Sequence, residues 1–215
     1  MPHLPRIHAP GLYYHVYARG NNKEPIFFEV RDYQRFLNNL EKHRVPLGYK
    51  IFAYCLLPNH FHLLVQVQST PLTNIMQILM TAYTMYANKK YERVGHIFQG
   101  RYQAIIVDKD TYLLQVYRYI HLNPVKAGIV DDPAGYEWSS FHRYLRDSAG
   151  APLLSATEIL ELFSPHSQRQ KKLLQEFTMA GVSDEFDPLK DHIRGILGGP
   201  KLVQKLTKVL RGSRP

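Results

Sequence analysis

A chain of 215 residues with 45% hydrophobic and 21% charged side chains can bury one core of ordinary size, with or without an appendage. Its net charge of +9 favours a polyanion, either nucleic acid or an acidic membrane surface, although plain solubility also accounts for it. The single cysteine, Cys55, excludes an intrachain disulfide, and no apolar run approaches the length of a membrane span or a signal-peptide core, so the expected compartment is the cytoplasm.

Residues 1–10 carry three prolines and form an irregular lead-in. The aromatic and branched run Leu12 to Ala18 predicts a first strand, closed by Arg19-Gly20-Asn21-Asn22. Tyr33, Phe36, Leu37 and Leu40 recur at helical spacing and predict a helix over 32–44, broken by Pro46 and Gly48. A second strand over 49–56, the turn Pro58-Asn59 and a third strand over 60–68 read as a hairpin. Ser69-Thr70-Pro71 opens a second helix, whose stripe of Leu72, Ile75, Met76, Leu79, Tyr83 and Tyr86 runs to about Tyr91. Lys89, Lys90, Arg93 and Arg101 gather around the loop Gly95 to Gly100. Tyr102 to Val107 is a fourth strand, and Asp108 or Asp110 caps a helix running to Asn123-Pro124. This order predicts an α+β, ferredoxin-like antiparallel sheet with two helices on one face and one further helix free to cover a site.

His60 and His62 start the third strand, and strand alternation projects both from one face. Two imidazoles on a rigid strand can bind one divalent cation; the plainer alternative is a half-buried pair hydrogen-bonded to its neighbours. Cys55, in an apolar run, reads as a buried, inert thiol. In the last helix Leu113, Val116, Tyr117 and Ile120 define the buried stripe. Tyr119 lies about a third of a turn off it, sharing a second face with Tyr112, Gln115 and Asn123. A tyrosine hydroxyl can attack a phosphodiester when a metal polarises the phosphate oxygens, leaving a covalent phosphotyrosine and a free hydroxyl on the other DNA end. The plainer view of Tyr119 is an amphipathic side chain at the helix edge. Tyr117 is a rival nucleophile placed within the apolar stripe, and Asn123, preceding proline, alternatively caps the helix end. His96 and His121 read as surface or packing residues. His15, His43, His142, His166 and His192 show no ligand spacing and are assigned nothing.

Several blocks together carry a resemblance. Tyr54 to Val65, with Pro58-Asn59-His60-Phe61-His62-Leu63-Leu64-Val65, and Gly95 to Gly128 resemble the single-tyrosine HUH transposases. The similarity is closer to the branch associated with repetitive extragenic palindromes (REP), the REP-associated tyrosine transposases. It extends through Ala18-Arg19-Gly20-Asn21-Asn22, Pro25-Ile26-Phe27, Tyr136-Glu137-Trp138-Ser139-Ser140 and Tyr144, and covers about residues 11–147. The resemblance implies that His60 and His62 are the HUH metal ligands, that Tyr119 is the nucleophile, and that Asn123 supplies a third ligand, where many insertion-sequence relatives carry glutamine. It further implies Mg²⁺ or Mn²⁺ as cofactor, single-stranded or hairpin DNA such as REP-like palindromes as partner, and an enzyme left on a 5′ phosphate. Insertion-sequence relatives are dimers with shared sites, whereas the REP-associated branch is expected to act as monomers. Arg19 and Arg101, with Lys89, Lys90 and Arg93, are candidates for phosphate contact. The expected activity is a metal-dependent single-stranded DNA endonuclease and strand transferase. The alternative is a non-catalytic hairpin or single-strand binder, using aromatics and basic loops.

Gly150-Ala151-Pro152 predicts a boundary between a catalytic domain, 1–150, and a helical extension, 151–215. Helices are expected over 155–163, 167–180, 188–197 and 200–210. After Asp191 no acidic residue follows, while Arg194, Lys201, Lys205, Lys208, Arg211 and Arg214 do, so the extension is a candidate for DNA contact or presents a solvated charged face.

Overall fold

A computed structural model describes residues 7–146 and 153–212; the start of the lead-in, the expected boundary at Gly150-Ala151-Pro152 and residues 213–215 lie outside the described residues. Strands β1 (Tyr13–Arg19), β2 (Tyr49–Leu57), β3 (His60–Val67), β4 (Gln103–Val107) and β5 (Ile196–Leu197) form one sheet in the order β2-β3-β1-β4-β5. Neighbours are antiparallel except β4 and β5, which run parallel. The first four strands have the expected ferredoxin-like arrangement.

Alternation along the strands divides the core in two. Val16, Phe61, Leu63 and Ile106 point to one face and pack against α1 (Val30–Leu47) and α2 (Leu72–Lys90) through Phe36, Leu40, Leu79 and Tyr83. Cys55, Leu64 and Ile105 point to the other, where α3 (Lys109–Lys126) lays down Leu113, Val116, Tyr117 and Ile120. Beyond α3 come α4 (Phe141–Leu145), α5 (Ala156–Leu160), α6 (Ser167–Met179) and α7 (Pro200–Gly212). The outer side of β2 is covered by the stretch before α4: Leu56 N–H donates to the Trp138 carbonyl at 2.9 Å, Ser140 N–H to Tyr54 at 2.9 Å, and Tyr136 Oη to Leu56 at 2.7 Å. Thus Tyr136-Glu137-Trp138-Ser139-Ser140 satisfies an edge strand that would otherwise be open to pairing.

Three expected boundaries shift, each for a local reason. Helix α1 continues through Pro46, which falls in its last turn, and stops at Gly48 (φ 60°), whose left-handed backbone lets its N–H bond the Arg44 and Val45 carbonyls. Helix α3 passes Asn123-Pro124 to Lys126, and Asn123 Nδ2 donates to the Tyr119 carbonyl at 2.8 Å; Asn123 does not end the helix. No helix forms over 188–197. Pro188 and Gly195 interrupt that segment, and Ile196 and Leu197 instead pair with Ile106 and Val107 of β4. The C-terminal third therefore contributes a strand to the sheet. It also contributes Leu153 and Leu206 to one core and Ile159, Leu174 and Leu197 to the other.

Asp32 ties α1 to the end of α2. Fully buried, its carboxylate accepts from Phe28 N–H (2.8 Å), Glu29 N–H (3.1 Å), Tyr86 Oη (2.9 Å), Tyr91 Oη (2.7 Å) and Lys90 Nζ (2.6 Å). Burial opposes its ionisation, but the bonds from Lys90, Tyr91, Phe28 and Tyr86 outweigh that and lower its pKa. Asp32→Ala leaves those donors without their acceptor and is expected to lower unfolding free energy by about 2–4 kcal/mol in urea titrations at pH 7. Because the folded-state pKa is depressed, this contribution is complete above the ordinary carboxylate value. It disappears as pH falls through the folded one, so wild type and variant should converge in acid.

Candidate functional site

The site is built where β1 and β3 lie side by side under α3. Cross-strand register sets Tyr17 opposite His62 and Arg19 opposite His60, so both members of the His-x-His pair share a face with the odd-numbered residues of β1. His15, one step diagonally from His62, is fully buried, His62 is 2% exposed and His60 is half-buried. The His60 and His62 rings stand 5.1 Å apart, and those of His15 and His62 also 5.1 Å, stacked. From α3 the Tyr119 ring meets both His62 and His15 edge-on at 5.8 Å, within one chain. Tyr117, the rival phenol, is fully buried in the α3 core, and its hydroxyl has no hydrogen-bond partner.

The ring nitrogens have defined partners. Asn59 Nδ2 donates to the Lys23 carbonyl at 3.1 Å, which turns Oδ1 toward His60, so His60 Nδ1–H donates to it at 2.6 Å. His62 Nδ1 is 2.9 Å from His15 Nε2. Burial first, then the neighbouring Arg19, pushes His60 down to about 4. His62 falls well below the usual histidine range through burial and then the adjacent His15 and His60. At neutral pH both rings are uncharged, the form that binds metals, and their Nδ1 atoms face protein partners. Such a donor pair fits a divalent cation. Asn123 uses Nδ2 in its bond to Tyr119, leaving Oδ1, the atom an amide ligand offers, outside that bond. Among the described residues no cluster of three or more His, Cys, Asp or Glu is arranged to hold a metal, so a cation here would draw on two imidazoles, non-carboxylate protein oxygen, water and substrate.

Tyr119 is raised above the ordinary phenol range by burial, then by the nearby Asp187 carboxylate and by Tyr17. The Lys126 ammonium lies 5.2 Å from the centre of the Tyr119 ring, a cation–π contact. Asp187 belongs to the segment between α6 and β5, so the C-terminal third forms one wall of the site.

The basic candidates separate. Arg19 is exposed at the end of β1 beside His60, where Gln99 N–H bonds its carbonyl and Asn21 N–H bonds Ile97, both at 2.8 Å, zipping the Gly95–Gly100 loop to the strand end. The turn after Arg19 needs Gly20, since a Cβ there would come within 2.0 Å of the Glu24 carbonyl oxygen. Lys89 and Arg101 are exposed. Lys90 is instead held by Asp32 and Glu29 at 2.6 and 2.7 Å, and Arg93 pairs with Glu24 at 3.1 Å. His121 is fully buried against Ser140 Oγ (2.6 Å), a packing residue.

Three residues of the site escape a reading based on ligand spacing: His15, Tyr17 and Asp187. Alternation along β1, with β1 next to β3 in a ferredoxin-like sheet, was signal enough for the first two. Asp187 had none, because its segment resembled the start of a helix.

The family model described as IS200-like transposase matches residues 8–123. A REP-associated tyrosine transposase of Haemophilus influenzae is 32% identical over 122 residues, covering 48% of this chain and 69% of that protein. Among solved structures, a REP-associated tyrosine transposase bound to a REP hairpin superposes with a TM-score of 0.60 at 18% identity, covering 72% of this chain and 92% of that one, which is a likeness of fold.

Proposed function

The chain belongs to the IS200-like transposase family, and from that premise we propose that it nicks and rejoins hairpin-flanked single-stranded DNA through a covalent 5′-phosphotyrosine on Tyr119. What carries this is the contact of the Tyr119 ring with His62 at 5.8 Å in the same chain. His60 and His62 hold the divalent ion, Mg²⁺ or Mn²⁺, with Asn123 as the third protein ligand. When bound, that ion polarises the non-bridging oxygens of the scissile phosphate. Tyr119 Oη attacks phosphorus while the bond to the 3′ oxygen breaks. Asp187 takes the phenolic proton, Lys126 favours the developing phenolate, and the departing oxygen is protonated to a 3′ hydroxyl. One phosphoester replaces another, so a second 3′ hydroxyl can reverse the step without a nucleotide cofactor.

Arg19, Lys89 and Arg101 are the exposed cations assigned to phosphate contact, whereas Lys90 and Arg93 act first through their carboxylates. The contact of His62 with Tyr119 within one chain supports cleavage by a monomer. Among the described residues no helix is long and apolar enough to cross a membrane, in keeping with a cytoplasmic site of action. Incubated with labelled hairpin DNA and Mn²⁺, the protein is expected to yield a band that survives denaturant, and none when EDTA is present. Binding without any such band would make it a pure hairpin binder.

A further inference from the structure

His15 has no role in the chemistry described so far, yet it is fully buried between the metal-site strand and α3. Its Nε2 lies 2.9 Å from His62 Nδ1, its ring stacks on that of His62 at 5.1 Å, and its own Nδ1 finds no hydrogen-bond partner. An aliphatic side chain at this position would avoid an unsatisfied buried nitrogen, which costs about 1–3 kcal/mol. Among the described residues, the one hydrogen bond that the ring makes is to His62. His60 shows the same arrangement on its rear side, where Asn59 Oδ1, turned by the Lys23 carbonyl, takes the Nδ1 proton. Two proton placements satisfy the His15–His62 bond. In one, His62 Nδ1–H donates to His15 Nε2 and His62 Nε2 carries a lone pair. In the other, His15 donates and His62 Nε2 bears hydrogen, which no cation can use.

We infer that His15 is a positioning residue: it accepts the His62 Nδ1 proton and so holds the His62 ring with its Nε2 lone pair presented to the cation, as Asn59 does for His60. The inference rests on the metal-site reading above. Its cost is the proton left on His15 Nδ1, the nitrogen that lacks a partner.

Titration of the full chain with Mn²⁺, followed by loss of the free-ion EPR signal, tests it. His15→Leu is expected to weaken Mn²⁺ binding about 10- to 100-fold. His15→Gln, whose amide oxygen can stand where Nε2 stood, should restore affinity to within about threefold of wild type. Ring ¹⁵N NMR of the metal-free wild type, where no bound ion dictates the tautomer, should place the His62 proton on Nδ1, a signature that a merely space-filling His15 would not set. Should His15→Leu fail to fold, this spectrum decides alone. Equal Mn²⁺ affinity in wild type and His15→Leu, or a His62 proton on Nε2 in the metal-free protein, overturns the inference. If His60→Ala leaves Mn²⁺ binding untouched, the metal site itself is refuted, and the role of His15 with it.

Discussion

Tyr119→Phe is expected to reduce the denaturant-resistant adduct with hairpin DNA to background while hairpin affinity falls by no more than about tenfold. The hydroxyl is the only atom removed, and one hydrogen bond is worth about 0.5–1.5 kcal/mol, so binding has little to lose. The chemistry loses everything, since no phosphotyrosine can form without that oxygen. Gel analysis after denaturation reads the first quantity and filter binding the second. Tyr117→Phe is the matched control. Its hydroxyl is fully buried without a partner, so deleting it should leave the adduct unchanged and stability equal or slightly improved. An adduct that persists in Tyr119→Phe would move the nucleophile elsewhere on the chain.

What could be read from the sequence follows from how local each signal is. Strand alternation in His60-Phe61-His62 and the offset of Tyr119 from the Leu113, Val116, Tyr117, Ile120 stripe are properties of single elements. Both faces therefore came out as the fold has them. Pro46 and Pro124 were overread as helix breakers. A proline within the last turn forfeits only one donor near a helix end, where packing of the preceding stripe decides the length. Lys90 and Arg93 looked like free phosphate ligands because Asp32, Glu29 and Glu24, which hold them, are some 60 residues away in the chain. The strand at Ile196–Leu197 was out of reach for the same reason. Two residues carry no period, and their conformation is set by the exposed edge of β4.

That edge leads to the second large effect. A chain ending after Arg146, close to the boundary expected from sequence, should lose its cooperative thermal transition altogether. Leu153, Ile159, Leu174, Leu197 and Leu206, all less than 10% exposed, would be stripped from both cores. Each fully buried side chain of this size contributes about 1.5–3 kcal/mol, so together they rival the about 5–15 kcal/mol that holds an ordinary domain folded. The edge of β4 would also lose its pairing, with Ile106 N–H parted from the Gly195 carbonyl and Asp108 N–H from that of Leu197, each now bonded at 2.8 Å. A chain ending at Gly199 keeps β5 and Asp187 and loses only α7, so it should still melt cooperatively at a lower temperature. Circular-dichroism melts of the three lengths separate the cases. If the chain ending after Arg146 melts as sharply as the full protein, residues 1–146 form an autonomous domain. If it does not, the wall that brings Asp187 to Tyr119 is part of the same folding unit as the histidines it faces.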